Sequence, residues 1–247
     1  MASIDSMFSR TTLLIGLEAT KRISTIRVIL FGVGGVGSWC AESLIRSGIR
    51  YLSIVDSDTV QITNINRQLP ATTRTIGQAK VEVLKARLLE INPDAQITAI
   101  QKIYNSKTAG SFDLSSYHYI VDAIDSLDNK AHLIFTATQT QATLFSSMGA
   151  ALKMNPSKIQ VVEFWKVRGC PLAAALRQKF KKGMTPAKKF LCVFSDEVFE
   201  NKGNEVDNTE LSDLGDGRKK HINGTLVHIT AIFGFTLAGL VIQDICN

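Results

Sequence analysis

Gly32-Val33-Gly34-Gly35-Val36-Gly37-Ser38 follows directly on the apolar run Val28-Ile29-Leu30-Phe31. A buried strand that ends in glycines and leads into a helix is built to hold phosphate. Glycine lets the backbone approach an anion, and the N–H groups of the first helical turn point at it along a favourable dipole. The spacing Gly32-x-Gly34-x-x-Gly37 also satisfies the dinucleotide fingerprint, so the turn alone leaves the nucleotide open. Asp56 stands about twenty residues beyond Gly37, where a doubly wound fold places a carboxylate on a ribose. After it come Asp58, then Asn64-x-Asn66-Arg67-Gln68, then Gly77-Gln78-Ala79-Lys80. A hydride-transfer site has no evident use for an arginine and a lysine brought back over a pyrophosphate. A nucleotidyl-transfer site needs both, because charge on the α-phosphate and on the leaving pyrophosphate must be stabilised. Singly, Arg67 and Lys80 read as surface charges; as a set with Asp56 they read as a site. Asp122-Ala123-Ile124-Asp125-Ser126 closes a further strand, so its carboxylates belong to the same sheet edge as the glycine turn. A carboxylate there can hold Mg²⁺ against ATP phosphates. Alternatively it caps the next helix, and one of the two can do each.

The elements that must position these residues follow from apolar periodicity and its punctuation. Residues 8–22 form a helical arm with Arg10 exposed early in it. Strands are expected at 28–31, 51–55, 97–100, 119–123 and 142–147, and helices at 36–47, 78–91 and 127–139. Gly48 stops the first of these helices, and Asn92-Pro93 stops the second. Residues 57–76 are polar and irregular, a length that marks a functional loop. Alternating strands and helices imply right-handed crossovers and an α/β fold, a Rossmann-like, doubly wound, mainly parallel sheet. After Gly149 the rhythm changes, with a strand at 158–165, a helix at 172–182 and a strand at 190–194 extending the sheet. Residues 200–218, rich in Asn, Asp, Gly and Glu, are expected to be a mobile loop. The segment from Ile222 to Gln243 has no Asp, Glu, Lys or Arg and is long enough to span a bilayer. Its Asn223, Thr225, His228, Thr230, Thr236 and three glycines favour a buried C-terminal helix at a core or subunit interface, with no membrane insertion.

Composition bounds the rest. With 247 residues, 45% hydrophobic and 20% charged, the chain suits one soluble α/β unit. Cys40, Cys170, Cys192 and Cys246 form no C-x-x-C pair, which argues against structural zinc and a disulfide framework and fits a cytoplasmic, reducing setting. The N-terminal MASIDSMFSRTTLL has no secretory-signal character. Net charge is +6, and it is uneven: Lys166, Arg168, Arg177, Lys179, Lys181, Lys182, Lys188 and Lys189 fall between Phe164 and Ser195 with no acid among them. Such a run is either a solvated face or a surface for a polyanion such as RNA.

GVGGVGS, DSDTV, NINRQ, GQAK and DAIDS, in this order and spacing, resemble the ubiquitin-activating-enzyme-like adenylyltransferase superfamily over about residues 8 to 165. The resemblance implies a homodimer that uses MgATP to adenylate a carboxylate and releases pyrophosphate. It implies that Gly32, Gly34, Gly35 and Gly37 line the phosphates, with Gly35 leaving room for a carboxylate substrate. Asp56 then binds the ribose beside Asp58, and Asn64, Arg67, Gln68 and Lys80 form the phosphate side. Asp125 helps hold Mg²⁺, and Arg10 reaches ATP from the partner subunit. The catalytic set so implied is Arg10, Arg67, Lys80 and Asp125.

SRTTLLIG, Gly48-Ile49, Cys192-Val193-Phe194-Ser195 and the Phe233-Gly234 helix are similar to the tRNA threonylcarbamoyladenosine dehydratase branch. That branch adenylates the carboxylate of threonylcarbamoyladenosine in tRNA, and the base closes to a cyclic form as AMP leaves. The alternative branch activates the C-terminal glycine of a ubiquitin-like sulfur carrier, often with two C-x-x-C pairs that are missing here. The resemblance implies one domain over 1–247: a nucleotide-binding core at 8–150, and a substrate-facing, dimer-supporting part at 151–247. It places tRNA on 166–189, with Phe180 or Phe190 stacking on bases, and makes a sulfur-relay protein a candidate partner. Ala150-Ala151-Leu152 departs from the glycine expected there, so the substrate-facing loop differs. Cys192 reads as a buried strand cysteine rather than as a thioester-forming thiolate.

Overall fold

The computed structural model describes residues 7–203 and 223–247. Seven strands form one sheet: β1 (Arg27–Phe31), β2 (Tyr51–Val55), β3 (Gln96–Ile100), β4 (Tyr119–Asp122), β5 (Thr143–Ser147), β6 (Ile159–Glu163) and β7 (Leu191–Ser195). Their order is β3-β2-β1-β4-β5-β7-β6. All neighbours are parallel except β6, which runs antiparallel to β7 at the edge. This is the expected Rossmann-like doubly wound sheet extended by further strands. The helices are α1 (Ser9–Ile15), α2 (Leu17–Thr25), α3 (Gly37–Arg46), α4 (Lys80–Ile91), α5 (Leu127–Ala137), α6 (Pro171–Phe180) and α7 (Val227–Cys246).

Strand β1 shows why the inner strands read as unbroken apolar runs. Val28 and Leu30 enter a core shared with Leu44 of α3, Leu84 of α4 and Phe233 of α7. Ile29 and Phe31 enter a second core with Leu133 of α5 and Leu176 of α6. A strand covered on both faces has no polar side to present.

Most boundaries shift by one or two residues from the sequence expectation, and three differences have a visible cause. The N-terminal arm is two helices, broken at Gly16 with φ +83°. Helix α4 begins at Lys80, because Ala79 pairs with Thr59 and the Val60 N–H donates to the Gln78 carbonyl, holding 78–79 extended. The strand expected to reach residue 165 stops at Glu163, and Phe164–Lys166 make a turn of 3-10 helix. The loop expected at 200–218 lies mostly outside the described residues. Gly48 ends α3 as anticipated. At φ +104° it lets its own N–H reach the Ile45 carbonyl and the Ile49 N–H reach the Leu44 carbonyl, a Schellman pair.

Helix α7 is long and apolar enough to cross a membrane, yet half of its most apolar window is buried inside the protein. One face lies in the core and the other carries the exposed Val227 and Phe235. It packs on α3 at Gly234, where an added Cβ would stand 2.4 Å from the Val36 carbonyl oxygen and 2.8 Å from the Cys40 nitrogen. Only a glycine lets the two backbones meet there. Gly234→Ala is therefore expected to cost about 1–3 kcal/mol through overpacking, read as a lower urea midpoint. At Gly239, where a Cβ would meet nothing within 4 Å, alanine should instead gain up to about 1 kcal/mol of helix propensity. Equal midpoints for the two variants would refute the close crossing.

Candidate active site

Phe31 of β1 lies between Val55 of β2 and Asp122 of β4, so the residues that follow these three strand ends gather at one carboxyl edge. Gly32 turns the chain with φ +85°, and its N–H donates to the Val55 carbonyl at 2.8 Å. A Cβ on Gly32 would stand 2.7 Å from the Ala123 oxygen, and one on Gly37 only 1.8 Å from the Gly32 oxygen. The turn is thus folded onto itself. No side chain caps the α3 N-terminus and no acid lies in its first turn; the Ser38 N–H donates to the Gly34 carbonyl, and the helix dipole with the remaining first-turn donors can serve an anion. Around Gly34 the nearest side-chain atom to an added Cβ is Gln68 Nε2, at 3.7 Å. Gly35 departs from expectation: its missing Cβ faces Thr230 Cγ2 at 3.2 Å and Arg67 Cγ at 3.3 Å. That space seats α7 and Arg67 and is not open to a substrate.

The Asp56 carboxylate accepts the Val33 N–H at 2.8 Å and the Asp58 N–H at 2.9 Å, fixing the glycine turn to β2. Burial pushes its carboxyl above the ordinary aspartate value, against the pull of Lys80 and of the two N–H groups. Lys80 opens α4, where a cation opposes the helix dipole; its ammonium is buried and pairs with the Asp58 carboxylate at 2.8 Å. Asp58 thus holds Lys80. Asn64 accepts the Gln61 N–H with its side-chain oxygen, and its amide nitrogen makes no hydrogen bond among the described residues. Gln68 Oε1 is buried without a partner among the described residues. The orphaned atom is an acceptor, so a phosphate oxygen would have to be met by the amide nitrogen, the end of Gln68 that lies toward Gly34.

Arg67 is half-buried, its Nη1 donating to the Thr63 carbonyl at 2.9 Å and to Asn66 Oδ1 at 2.8 Å. Burial lowers its pKa, and the charge of the Asp125 carboxylate acts in the opposite direction. Asp125 is exposed in the loop after β4, whereas Asp122 is buried in an ion pair with Lys130. Neither caps α5 through its side chain. Arg10 is exposed on α1, and its side chain makes no hydrogen bond or ion pair among the described residues. Among the described residues no group of three or more His, Cys, Asp or Glu could hold a metal.

Some supports escaped the sequence reading. Ser38 Oγ donates to the Gly34 carbonyl at 2.6 Å and accepts the Leu69 N–H, while Trp39 Nε1 donates to the Arg67 carbonyl. Asn66 Nδ2 reaches the Thr225 carbonyl just ahead of α7. The first turn of α3 therefore holds the Asn64–Gln68 segment in place. In the loop after β5, Leu152 adopts φ +58°, which costs a non-glycine residue about 1–2 kcal/mol. Its N–H donates to the Gly224 carbonyl, and its own carbonyl accepts the Phe199 N–H.

The basic run divides in two. Arg168 and Arg177 donate to the Val167 carbonyl, Lys188 donates to the Thr140 and Ala142 carbonyls, and Lys179 pairs with Asp128. Lys166, Lys181, Lys182 and Lys189 are exposed. The expected stacking aromatics are not available: Phe180 is fully buried and Phe190 is 5% exposed. Both pack on Phe164 in the α5/α6 core, with ring centroids 5.4 and 5.1 Å away. Cys192 is fully buried, and burial raises its thiol well above its ordinary value, so it is a core residue.

A model of the ThiF family matches residues 8–246. The chain belongs to that family. Within the ThiF family it is 36% identical over 242 residues to the tRNA threonylcarbamoyladenosine dehydratase of Bacillus subtilis, covering 96% of this chain and 94% of the relative. It superposes on the Escherichia coli tRNA N6-threonylcarbamoyladenosine dehydratase in complex with AMP with a TM-score of 0.87 at 30% identity, over 99% of this chain and 96% of the other. The complex of the Escherichia coli enzyme with ATP gives 0.86 at 29% identity, with the same coverage.

Proposed function

We propose that this protein is an ATP-dependent tRNA threonylcarbamoyladenosine dehydratase. It adenylates the carboxylate of N6-threonylcarbamoyladenosine in tRNA and promotes closure of the base to its cyclic form. One observation carries the reading: an uncapped glycine turn with Arg67 packed against it at Gly35, in a chain similar along nearly its whole length to a curated dehydratase. Free lone pairs on Asp56 take the ribose hydroxyls, and the amides of Gly34 and Gly37 take phosphate oxygens. Arg67, Asn64, Gln68 and Lys80 bound the phosphate side, with Lys80 shared with Asp58. Asp125 offers one carboxylate, which suits Mg²⁺, an ion that draws its other ligands from phosphate oxygens and water. That ion would add positive charge where the phosphates meet the substrate.

In the first step a carboxylate oxygen attacks the α-phosphorus and the bond to pyrophosphate breaks. Arg67 and Lys80 stabilise charge on the phosphates as it moves to the leaving group. In the second, a nucleophile of the same modified base attacks the activated carbonyl, and AMP leaves with one former carboxylate oxygen. The net change is loss of water from the nucleoside. No enzyme thiol is needed, consistent with the burial of Cys192. The four free thiols fit a cytosolic setting.

The direct test incubates the protein with ATP and tRNA bearing threonylcarbamoyladenosine, then analyses the nucleosides by mass spectrometry. The expected product is lighter than its precursor by the mass of one water, with pyrophosphate released. Stimulation instead by a carrier ending in Gly-Gly would transfer the chemistry to the sulfur-carrier branch.

The exposed Lys166, Lys181, Lys182 and Lys189 are proposed to contact tRNA phosphates. Lys181→Gln with Lys182→Gln should reduce the slope of log affinity against log salt by about 1.5; an unchanged slope would clear these lysines. Leu13 and Leu14 on α1 are 86% and 85% exposed, and Leu17 on α2 is 57% exposed. This apolar arm supports a homodimer in which Arg10 serves the partner's site. Arg10→Ala and Asp125→Ala should then each lower turnover, and mixing the two variants should restore part of it. Inactivity of the mixture would place Arg10 in its own subunit's site, and full turnover by Arg10→Ala alone would put it outside the chemistry.

A further inference from the structure

Directly behind Asp125 lies an ion pair that is wholly out of water. Asp122 on β4 and Lys130 on α5 have no exposed side-chain surface, and their charged atoms are 2.7 Å apart. Ser146 Oγ, from β5, donates to the same Asp122 oxygen at 2.7 Å. The remaining hydrogen bonds of the pair converge on one residue. The other Asp122 oxygen accepts the Ile124 N–H at 3.1 Å, and Lys130 Nζ donates to the Ile124 carbonyl at 3.0 Å. Both polar groups of the Ile124 main chain are thus gripped from one side. The chain on the other side is fixed too: the Ala123 N–H donates to the Phe31 carbonyl, and the Ala123 oxygen closes on Gly32.

A buried ion pair is weak evidence for stability, because desolvating two charges offsets most of their attraction. Well-packed apolar side chains would serve the core equally well. What they could not do is donate to one end of the Ile124 main chain and accept from the other. The Ile124 carbonyl belongs to the peptide group that leads into Asp125, so its donor fixes the plane from which the Asp125 Cα springs. We propose that Asp122 and Lys130 are positioning residues: by holding Ile124 they set where the Asp125 carboxylate stands beside the phosphate turn. The proposal rests on the reading of Asp125 as the carboxylate that holds magnesium.

The test compares wild-type full-length protein with two double variants, D122N/K130M and D122N/K130Q. Neither strands a lone charge in the core, and both keep an acceptor for the Ile124 N–H. Only glutamine at position 130 keeps a donor for the Ile124 carbonyl. Magnesium half-saturation is measured in ATP–pyrophosphate exchange and, independently of turnover, in ATP binding by calorimetry, with thermal unfolding recorded alongside. D122N/K130M should still unfold cooperatively and bind ATP without magnesium within about twofold of wild type. It should need about 10- to 100-fold more magnesium, and D122N/K130Q should recover most of that loss. Wild-type magnesium dependence in both variants would overturn the proposal. So would activity lost in both only in proportion to folded protein lost, since the pair would then be structural. D125A separates this outcome from failure of the underlying reading. If D125A keeps the magnesium response of ATP binding, Asp125 is not the metal carboxylate. If D125A loses it while D122N/K130M does not, only the positioning role falls.

Discussion

Main chains that touch where no Cβ exists are the constraint on which the site depends. The Gly32 oxygen lies where a Cβ on Gly37 would be, the Ala123 oxygen lies against Gly32, and the Val36 oxygen lies against Gly234. These three approaches fold the turn after β1 onto itself, seat it against the loop after β4, and press α7 onto the start of α3. The turn is rigid because its neighbours leave it nowhere to move. Donors held in this way need no reorganisation when charge develops beside them, which is the main physical advantage of a preformed phosphate site. Asp56, which ties Val33 to β2, and Ser38, which ties Gly34 to Leu69, extend the same restraint outward.

Much of this was legible in the chain because its signals are local. Each inner strand is an apolar run bounded by polar residues, and Gly48 and Asn92-Pro93 punctuate the helices they end. The glycine spacing after Phe31 gave the turn, and the carboxylate after β2 gave the register of the site. Alternation of strands and helices gave the parallel order through handedness. The edge pair β6–β7 was less apparent, since nothing local distinguishes an antiparallel edge strand from a parallel one.

What stayed hidden depends on which way a side chain turns. Lys188 and Lys181 carry the same charge in the same run, yet the first reaches back to cap the Thr140 and Ala142 carbonyls and the second stays in solvent. Phe180 and Phe190 flank lysines, and only the fold shows that they meet at Phe164. Asp122 and Asp125 sit three positions apart, and the end of β4 between them sends one inward to Lys130 and the other outward. Gly35 suggested open space, but the occupant of that space is Thr230, nearly two hundred positions along the chain. Contacts at such separation leave no trace in local periodicity.

The seating of α7 on the glycine turn also bears on how the site is born. Thr230 and Gly234 are synthesised nearly two hundred residues after the glycine turn on which they pack. A nascent chain that has made every strand still lacks the helix against which residues 35 and 36 are packed. Closing so long a loop is slow relative to local structure. The vectorial order of synthesis thus delays the finished packing of the glycine turn until residues 227–246 are free to dock.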